Sequence, residues 1–250
     1  MERAPGAALT RQRIHMSTAI ITGASRGFGL ALARELALDG WDLVIDARTG
    51  ADLADAAEGL REAVSGSVVS IPGDVTDPSH RQELIEAATG LGSFELLVNN
   101  ASSLGPSPLP TLATYPTGAL AGVFAVNVVA PLQLVQEAMV HLRSSQGTVV
   151  NITSDAAVEA YEGWGGYGAT KAALEQLSNV MAAEEPLLRV YWFDPGDMRT
   201  RMHQDAFPGE DISDRPLPEE RVPALVRLIK GDYPSGRYTA ESLLAEMALT

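Results

Sequence analysis

Short apolar segments alternate with amphipathic helical segments along almost the whole chain, and this alternation restricts the fold more than any other feature. Several of the segments are apolar on both faces, which is typical of strands in a parallel sheet covered by helices on both sides. The predicted strands are 18–22, 41–47, 68–71, 94–98, 147–152, 188–193 and 237–239. Between them the pattern predicts a helix ending at Gly40, followed by helices at 52–64, 78–88, 115–142, 165–183 and 219–230. Since strand–helix–strand crossovers are right-handed, the sequence predicts a doubly wound α/β fold with a mostly parallel, seven-stranded sheet.

The chain shows no composition shift that is typical of a linker between domains. Residues 17–250 are therefore interpreted as one domain, preceded by a disordered leader over 1–16. The longest irregular segment is 197–218, which is rich in charges and proline. Loops of this length in compact domains tend to cover binding sites, so we expect a lid there.

The composition excludes several classes of function. The chain carries 18 basic and 32 acidic residues, a net charge of −14, which argues against a nucleic-acid or anionic-membrane partner. It has no cysteine, and its four histidines are not spaced like metal ligands, so we expect no disulfide and no metal site. The most apolar long segment, 120–140, contains polar residues and a proline, which disfavours a membrane span. These observations favour a cytoplasmic protein that acts on a small molecule.

A glycine-rich turn follows the first predicted strand. Gly23, Gly27 and Gly29 lie where the strand gives way to a helix. Glycine permits unusual backbone dihedrals and close approach of a diphosphate, and the helix N-terminus offers free N–H groups. A tight strand-to-helix turn without a ligand is the alternative interpretation.

The end of the second predicted strand bears on which nucleotide is bound. An acidic residue there would bind a ribose 2′-hydroxyl, whereas a basic one favours a 2′-phosphate. The sequence has both Asp46 and Arg48, and Arg26 lies in the glycine turn. If Asp46 points at the ribose, NAD(H) is preferred; if it points into the sheet or at a helix end, NADP(H) is preferred. The two arginines favour NADP(H).

Tyr167 and Lys171 are four residues apart in a predicted helix and therefore share one face. A nearby ammonium would lower the pKa of the phenol and suit it to acid–base chemistry. A surface lysine beside a buried tyrosine is the alternative. Lys171 is one of only two lysines in a chain that otherwise uses arginine, which argues against this alternative.

Taken together, these motifs resemble the short-chain dehydrogenase/reductase family, whose members of this length form a single Rossmann-like domain. The resemblance spans nearly the whole chain from Thr18 and keeps the motifs in the family's order. The matching positions are Thr22, Gly23, Gly27, Gly29, Asp74, Val75, Asn99, Asn100, Ala101, Asn127, Ser154, Tyr167, Lys171, Pro195, Gly196 and Thr200. At one position the chain departs from the family, since Ser102 stands where a glycine usually follows Asn-Asn-Ala.

The resemblance implies a catalytic set of Asn127, Ser154, Tyr167 and Lys171. Asn127 would hold a water in a proton relay, Ser154 would position the substrate oxygen, and Tyr167 would pass the proton. It also implies contacts to NADP(H) from the strand ends and the glycine turn. The residues expected to bind the cofactor are Gly23, Ser25, Arg26, Gly27, Phe28, Gly29, Arg48, Asp74, Val75, Asn99, Ala101, Tyr167, Lys171, Pro195, Gly196, Met198 and Thr200.

Tyr161, Trp164 and His203 are predicted to line the substrate pocket together with Ser154 and Tyr167, although each could instead be a core or solvent-exposed residue. The predicted function is NADP(H)-dependent reduction of a ketone or aldehyde to an alcohol, or the reverse, in a homodimer or homotetramer. The alternative is a protein of the same fold that senses NADP(H) without turnover.

Overall fold

A single parallel sheet forms the centre of the molecule in a computed structural model that describes residues 17–63 and 66–249. Within these residues the sheet has seven strands in the order β3-β2-β1-β4-β5-β6-β7. The strands are β1 Ser17–Ile21, β2 Asp42–Ala47, β3 Val68–Pro72, β4 Ser93–Asn99, β5 Thr148–Ile152, β6 Arg189–Asp194 and β7 Gly236–Thr239. Every neighbouring pair is parallel, so the predicted doubly wound fold is confirmed. The predicted leader, 1–16, lies outside the described residues.

Helices cover both faces of the sheet. They are α1 Gly27–Leu38, α2 Gly50–Ala63, α3 Pro78–Leu91, α4 Thr117–Phe124, α5 Ala130–Ser145, α6 Gly165–Glu184, α7 Arg201–Ala206, α8 Pro218–Lys230 and α9 Ala240–Ala248. Helices α1, α2, α8 and α9 contribute to one apolar core cluster, and α3, α5 and α6 to a second on the other face. The sequence pattern did not predict α7 and α9. Both are short, and α7 lies inside the segment that we expected to be irregular.

The long helix predicted over 115–142 consists of two helices joined by a π-helical turn, Ala125–Val129. By length and hydropathy alone, Thr117–Ser145 could cross a membrane. In this fold its C-terminal part is a core helix, with Leu134, Ala138 and Leu142 buried against the sheet. The π turn changes which side chains face inward at Asn127, and this determines the surroundings of the site.

The strand order reverses between β1 and β4, which lie side by side at the centre of the sheet. The helices that follow these two strands leave toward opposite faces, and a crevice opens beyond the carboxyl ends of the strands. In doubly wound sheets ligands bind at such a switch point. A cleft of about 830 Å³ lies there in this structure.

Candidate active site

The glycine turn forms one wall of the cleft. Gly23 and Gly27 have positive φ angles of 66° and 57°, which L side chains rarely adopt. A Cβ on Gly23 would lie 2.8 Å from the Ala101 Cα, so the turn can approach the β4 loop only with glycine there. Arg26 is the N-cap residue of α1. Among the described residues, no side chain forms a capping hydrogen bond with the first N–H groups of this helix. The first N–H groups of α1 are therefore left for a ligand.

The carboxylate of Asp46 is turned into the protein, which resolves the alternative left by the sequence. Its Oδ1 accepts a hydrogen bond from the Gly23 N–H at 2.6 Å, and its Oδ2 lies 3.0 Å from Nε2 of His80. The side chain is 1% exposed. Asp46 therefore stabilises the glycine turn, and both of its oxygens already have partners within the fold.

The arginines at the same end of the cleft remain at its surface. Arg26 and Arg48 both line the cleft, and Arg26 lies 3.7 Å from Asp52, with both side chains about half exposed. Asp74, which also lines this end, accepts hydrogen bonds from the backbone and hydroxyl of Thr76. These bonds and the charge of Arg48 hold the pKa of Asp74 below its usual value. Val75 completes this wall, as predicted.

Two residues expected to bind the cofactor lie behind the cleft rather than in its lining. Asn99 is buried, and its Nδ2 donates to Oδ1 of Asn151 at 2.8 Å, so it braces β4 against β5. Gly29 packs under Asn100, whose Nδ2 a Cβ there would approach to 2.4 Å. Asn100 itself donates to the carbonyls of Thr22 and Gly23 and so clamps the glycine turn, a role that the Asn-Asn-Ala motif alone did not assign.

Tyr167 and Lys171 lie together on the buried face of α6, as their spacing predicts. The Lys171 Nζ donates to the Ile152 carbonyl at 2.8 Å and lies 5.4 Å from the centre of the Tyr167 ring. Burial lowers the pKa of Lys171 to about 8. Burial also raises the pKa of Tyr167, whereas the sequence led us to expect that the ammonium would lower it. The expectation was wrong because burial disfavours the charged phenolate, and the charges of Asp194 and Asp155 raise the pKa further.

Ser154 follows β5 and lines the same cleft. Its hydroxyl donates to Oδ1 of Asp155 at 2.8 Å and accepts from the Ala156 N–H. Oδ1 of Asp155 also accepts from the Ala156 N–H, and Ser154 is the N-cap of the short helical turn Asp155–Ala157. The hydroxyl thus faces the site but must leave Asp155 to bind a substrate oxygen.

Asn127 lies outside the lining of the cleft, in the π turn, and is 1% exposed. Its Oδ1 accepts from the Ser103 N–H at 2.7 Å, and its Nδ2 donates to the Ser103 carbonyl and to the Thr170 hydroxyl. The side-chain amide is thus occupied by protein groups, and the water-holding role of Asn127 stays a prediction. The amide fixes the loop after β4 against α6, close behind Tyr167.

The segment predicted to be a lid, 197–218, contributes residues to the lining of the cleft. Pro195, Gly196, Met198 and Thr200 line the cleft as expected, and the Thr200 hydroxyl caps α7 by accepting from the His203 N–H. His203 is 8% exposed, and its Nδ1 faces the Asp197 carboxylate at 3.6 Å. The lid is therefore ordered by its own short helix.

We call the end of the cleft that contains Tyr167 the substrate end, because we predict that the substrate binds there. Aromatic side chains lie at this end. Trp164 lies edge-on to Tyr167 with ring centres 5.6 Å apart, and Phe207 contacts both Trp164 and His203. Tyr161 is not part of this wall; it is 47% exposed, and its hydroxyl donates to Asp155 Oδ2. It turns outward because it begins the turn that ends at Trp164. Two residues were missed because no motif marks them: Leu104, which lines the cleft, and Phe207, which packs against Trp164 without lining the cleft.

The remaining predicted cofactor residues also line the cleft. They are Ser25, Phe28 and Ala101. The arrangement thus joins an amide-rich, arginine-flanked end to an end that carries two buried titratable groups and an aromatic wall. It can hold an elongated anionic ligand and deliver a proton at the opposite end.

Comparison with known proteins gives consistent results. The family model described as short chain dehydrogenase matches residues 17–211. Sepiapterin reductase of Rattus norvegicus is 36% identical over 204 residues, covering 77% of this chain and 78% of that protein. A diacetyl reductase, (S)-acetoin forming, of Staphylococcus epidermidis is 30% identical over 74% of this chain and 72% of that protein. A short chain dehydrogenase structure from Shigella flexneri complexed with NADP superposes with a TM-score of 0.83 at 26% identity, covering 90% of this chain and 97% of that one.

Proposed function

Because the chain belongs to the short chain dehydrogenase family, we propose that it is an NADP(H)-dependent oxidoreductase that reduces a ketone or aldehyde to an alcohol, or catalyses the reverse. The observation that carries the proposal is the position of Tyr167 and Lys171. Both side chains are buried at one end of a cleft whose other end is the glycine turn. A surface lysine beside a structural tyrosine would not be buried at a cleft.

The residues of the cleft fit NADP(H). The open N–H groups at the start of α1 suit the diphosphate. Arg26 and Arg48 offer guanidinium groups for a 2′-phosphate, while Asp46 is occupied by Gly23 and His80 and so does not compete for a ribose hydroxyl. The relative from Shigella flexneri, which was solved with NADP, supports the same choice.

When bound, NADPH supplies the hydride for the carbonyl carbon. Tyr167 then donates its proton to the carbonyl oxygen, and the raised pKa of the phenol keeps that proton in place at neutral pH. Ser154 orients the same oxygen once its hydroxyl turns from Asp155 into the cleft. Lys171, held by the Ile152 carbonyl, sits beneath the Tyr167 ring and offers positive charge to the phenolate that forms.

The substrate is proposed to be a small carbonyl compound. Trp164 lines the cleft next to Tyr167 and is backed by Phe207, and Leu104 adds an aliphatic contact. Such a surface binds the apolar part of a substrate, while the hydroxyls of Ser154 and Tyr167 form hydrogen bonds with its carbonyl oxygen. The names of the relatives, a sepiapterin reductase and a diacetyl reductase, support reduction of a carbonyl group.

We propose that the protein assembles as a homodimer or homotetramer in the cytoplasm. The helices after β4 and β5 carry exposed apolar side chains, which are Val129, Val140 and Val180. Val140 is 67% exposed on α5 and offers apolar surface that assembly with a second copy of the chain would cover. Size-exclusion chromatography with light scattering tests this directly, and a monomer at micromolar concentration would contradict it.

The test of the function is an NADPH-oxidation screen against aldehydes, ketones, vicinal diketones and quinones, repeated with NADH and with Tyr167→Phe. We expect turnover with at least one carbonyl class, a preference for NADPH and its loss in the variant. Tight NADPH binding without turnover for any class would favour the sensing alternative. Turnover that survives Tyr167→Phe would refute the role of the phenol.

A further inference from the structure

Arg237 belongs to none of the motifs of the predicted site. It is the second residue of β7, which lies at one edge of the sheet, and it follows the segment 17–211 that the family model matches. It does not line the cleft. Its guanidinium nevertheless contacts the three elements that carry the residues of the substrate end.

The pairing of β6 with β7 sets the direction of this side chain. Arg237 is paired with Trp192 in the parallel register, and Asp194 lies two residues further along β6. Because strand side chains alternate between faces, Trp192, Asp194 and Arg237 point to the same face of the sheet. Val190, also on that face, belongs to the apolar cluster that includes Met181 of α6. Arg237 is therefore directed toward α6.

The guanidinium forms hydrogen bonds with each of these three elements. Its Nε donates to Oε1 of Glu175 on α6 at 2.9 Å, and its Nη2 donates to Oδ2 of Asp194 at 3.0 Å. The same Nη2 donates to the carbonyl oxygen of Ser154, after β5, at 3.4 Å. The carboxylates of Glu175 and Asp194 are 12% and 7% exposed, and within the described part of the chain Arg237 is the only cation paired with either. These bonds join β5, β6 and α6 through one side chain.

The partners of Arg237 are themselves bound to the site. Oδ1 of Asp194 accepts from the Gly196 N–H at 2.9 Å and so holds the turn that follows β6. Glu175 lies one helical turn after Lys171 on α6 and accepts from the Thr153 hydroxyl, directly after β5, at 2.8 Å. A change at Arg237 would therefore be felt at the carboxyl ends of both strands and along α6.

We propose that Arg237 is a positioning residue, which fixes the ends of β5 and β6 and the middle of α6 relative to one another for the proposed reaction. The inference rests on the proposed function. Hydride transfer needs the carbonyl carbon to face the nicotinamide while its oxygen contacts Ser154 and Tyr167, and these three elements supply the groups that hold both. A displacement of about 1 Å among such groups can lower the rate roughly a hundredfold.

The pair of carboxylates explains why an arginine serves here. A guanidinium is a planar fork whose Nε and Nη2 point to different acceptors, so it can bind Glu175 and Asp194 at the same time. An ammonium is a compact point charge on a flexible chain. A lysine at position 237 would keep the charge but would hold the two carboxylates less precisely.

The experiment compares Arg237→Met, Arg237→Lys and the triple variant Arg237→Met/Glu175→Gln/Asp194→Asn with the wild type. Arg189→Met is the matched control, because Arg189 lies at the opposite end of β6 and donates to the carbonyls of Ile229 and Gly231. The single-turnover rate of NADPH oxidation is measured by stopped flow with the carbonyl compound that the wild type reduces fastest. The Kd for NADPH is measured by fluorescence, and the unfolding temperature by circular dichroism.

We expect Arg237→Met to lower the single-turnover rate about a hundredfold. The Kd for NADPH should stay near the wild-type value, because the glycine turn and its arginines are unchanged. Arg237→Lys should recover part of the rate, since the ammonium still pairs with one carboxylate at a time. Arg189→Met should keep a rate near that of the wild type, because its bonds lie far from the cleft.

The triple variant separates positioning from stability. Arg237→Met leaves two buried carboxylates without a cation and should unfold at a lower temperature, whereas the triple variant removes both charges and should unfold nearer the wild-type temperature. Its rate should stay low, because no side chain joins the two strand ends to α6. A triple variant with the wild-type rate would overturn the inference, and so would equal rates for Arg237→Met and Arg189→Met. Either result leaves the proposed function intact, whereas a wild-type protein without turnover refutes both.

Discussion

The two ends of the cleft are built in different ways. The nucleotide end consists of backbone N–H groups in the glycine turn and of arginines that stay at the surface, with Asp46 turned inward to hold the turn. At the substrate end, titratable side chains are buried, and their pKa values are displaced by burial. One end therefore offers backbone N–H groups and surface guanidinium groups for binding, and the other offers buried titratable groups for chemistry. Substitutions at one end should leave the other end's function intact.

The largest expected effect lies at the substrate end. Replacement of Tyr167 by phenylalanine removes the proposed proton donor and should lower kcat about 10²- to 10⁴-fold, the usual contribution of general acid catalysis. The Kd for NADPH should change less than threefold or so, which fluorescence titration measures. A comparable loss of NADPH affinity would mean that the two ends are not separable.

The reciprocal effect is expected at the nucleotide end. Arg48→Ala should weaken NADPH binding about 10- to 100-fold, since charge-assisted hydrogen bonds are worth about 1.5–3 kcal/mol. NADH binding and kcat at saturating NADPH should stay near the wild-type values. Arg34→Ala, an exposed arginine on α1 outside the cleft, is the matched control. Equal losses for NADPH and NADH would contradict selection through the 2′-phosphate.

The second titratable group of the substrate end, Lys171, is expected to lower the stability of the fold while it supports activity. Its pKa falls from 10.5 to about 8, so burial of the charge costs roughly 3 kcal/mol at 1.36 kcal/mol per unit. Below pH 8 the lysine is charged in both the folded and the unfolded state, and the full cost applies. Between pH 8 and 10.5 the folded protein loses the proton first, and the cost declines.

Lys171→Met should accordingly raise the free energy of unfolding by about 2 kcal/mol at pH 7, after allowing about 1 kcal/mol for the lost bond to Ile152. The gain should shrink above pH 8, and the activity should fall sharply. Chemical denaturation at a series of pH values measures the difference. Lys230→Met replaces the other lysine, which is half exposed, and should show no such gain. If Lys171→Met instead lowered the free energy of unfolding at pH 7, burial of the ammonium would not destabilise the folded protein.

The smallest effect is expected at the aromatic wall. Trp164→Ala removes contacts with Tyr167 and Phe207 and should raise the substrate KM by roughly tenfold, about 1.4 kcal/mol of apolar contact. The Kd for NADPH should not respond. Tyr161→Ala is the control, because that side chain lies outside the cleft. If both variants raised KM equally, the outward orientation of Tyr161 would not hold during turnover.

Much of the site follows from local sequence. The glycine turn and the Tyr167–Lys171 pair are defined by spacing within one turn or one helix, where side-chain direction depends on periodicity alone. The strands were identified because their apolar residues continue on both faces. Strand boundaries shifted by at most one residue and helix boundaries by at most three, which is the ordinary consequence of end effects in hydrogen bonding.

Other features depended on partners distant in the chain. Asn127 and Asn99 carry motif signals, yet the π turn and the β4–β5 pairing place their amides behind the cleft rather than in it. Phe207 follows α7 and contacts Trp164, which lies much earlier in the chain at the N-cap of α6. No local pattern encodes such contacts, since they depend on where two elements pack.

The sequence by itself determined the doubly wound fold, the location of the nucleotide site and the identity of the Tyr167–Lys171 pair. Only the tertiary structure decided that Asp46 faces the glycine turn and His80, and that Asn127 is bound to Ser103 and Thr170. It also decided the direction in which the pKa of Tyr167 moves. The physical reason is that strand and helix periodicity are short-range properties, whereas burial and hydrogen-bond partners depend on residues that folding brings together.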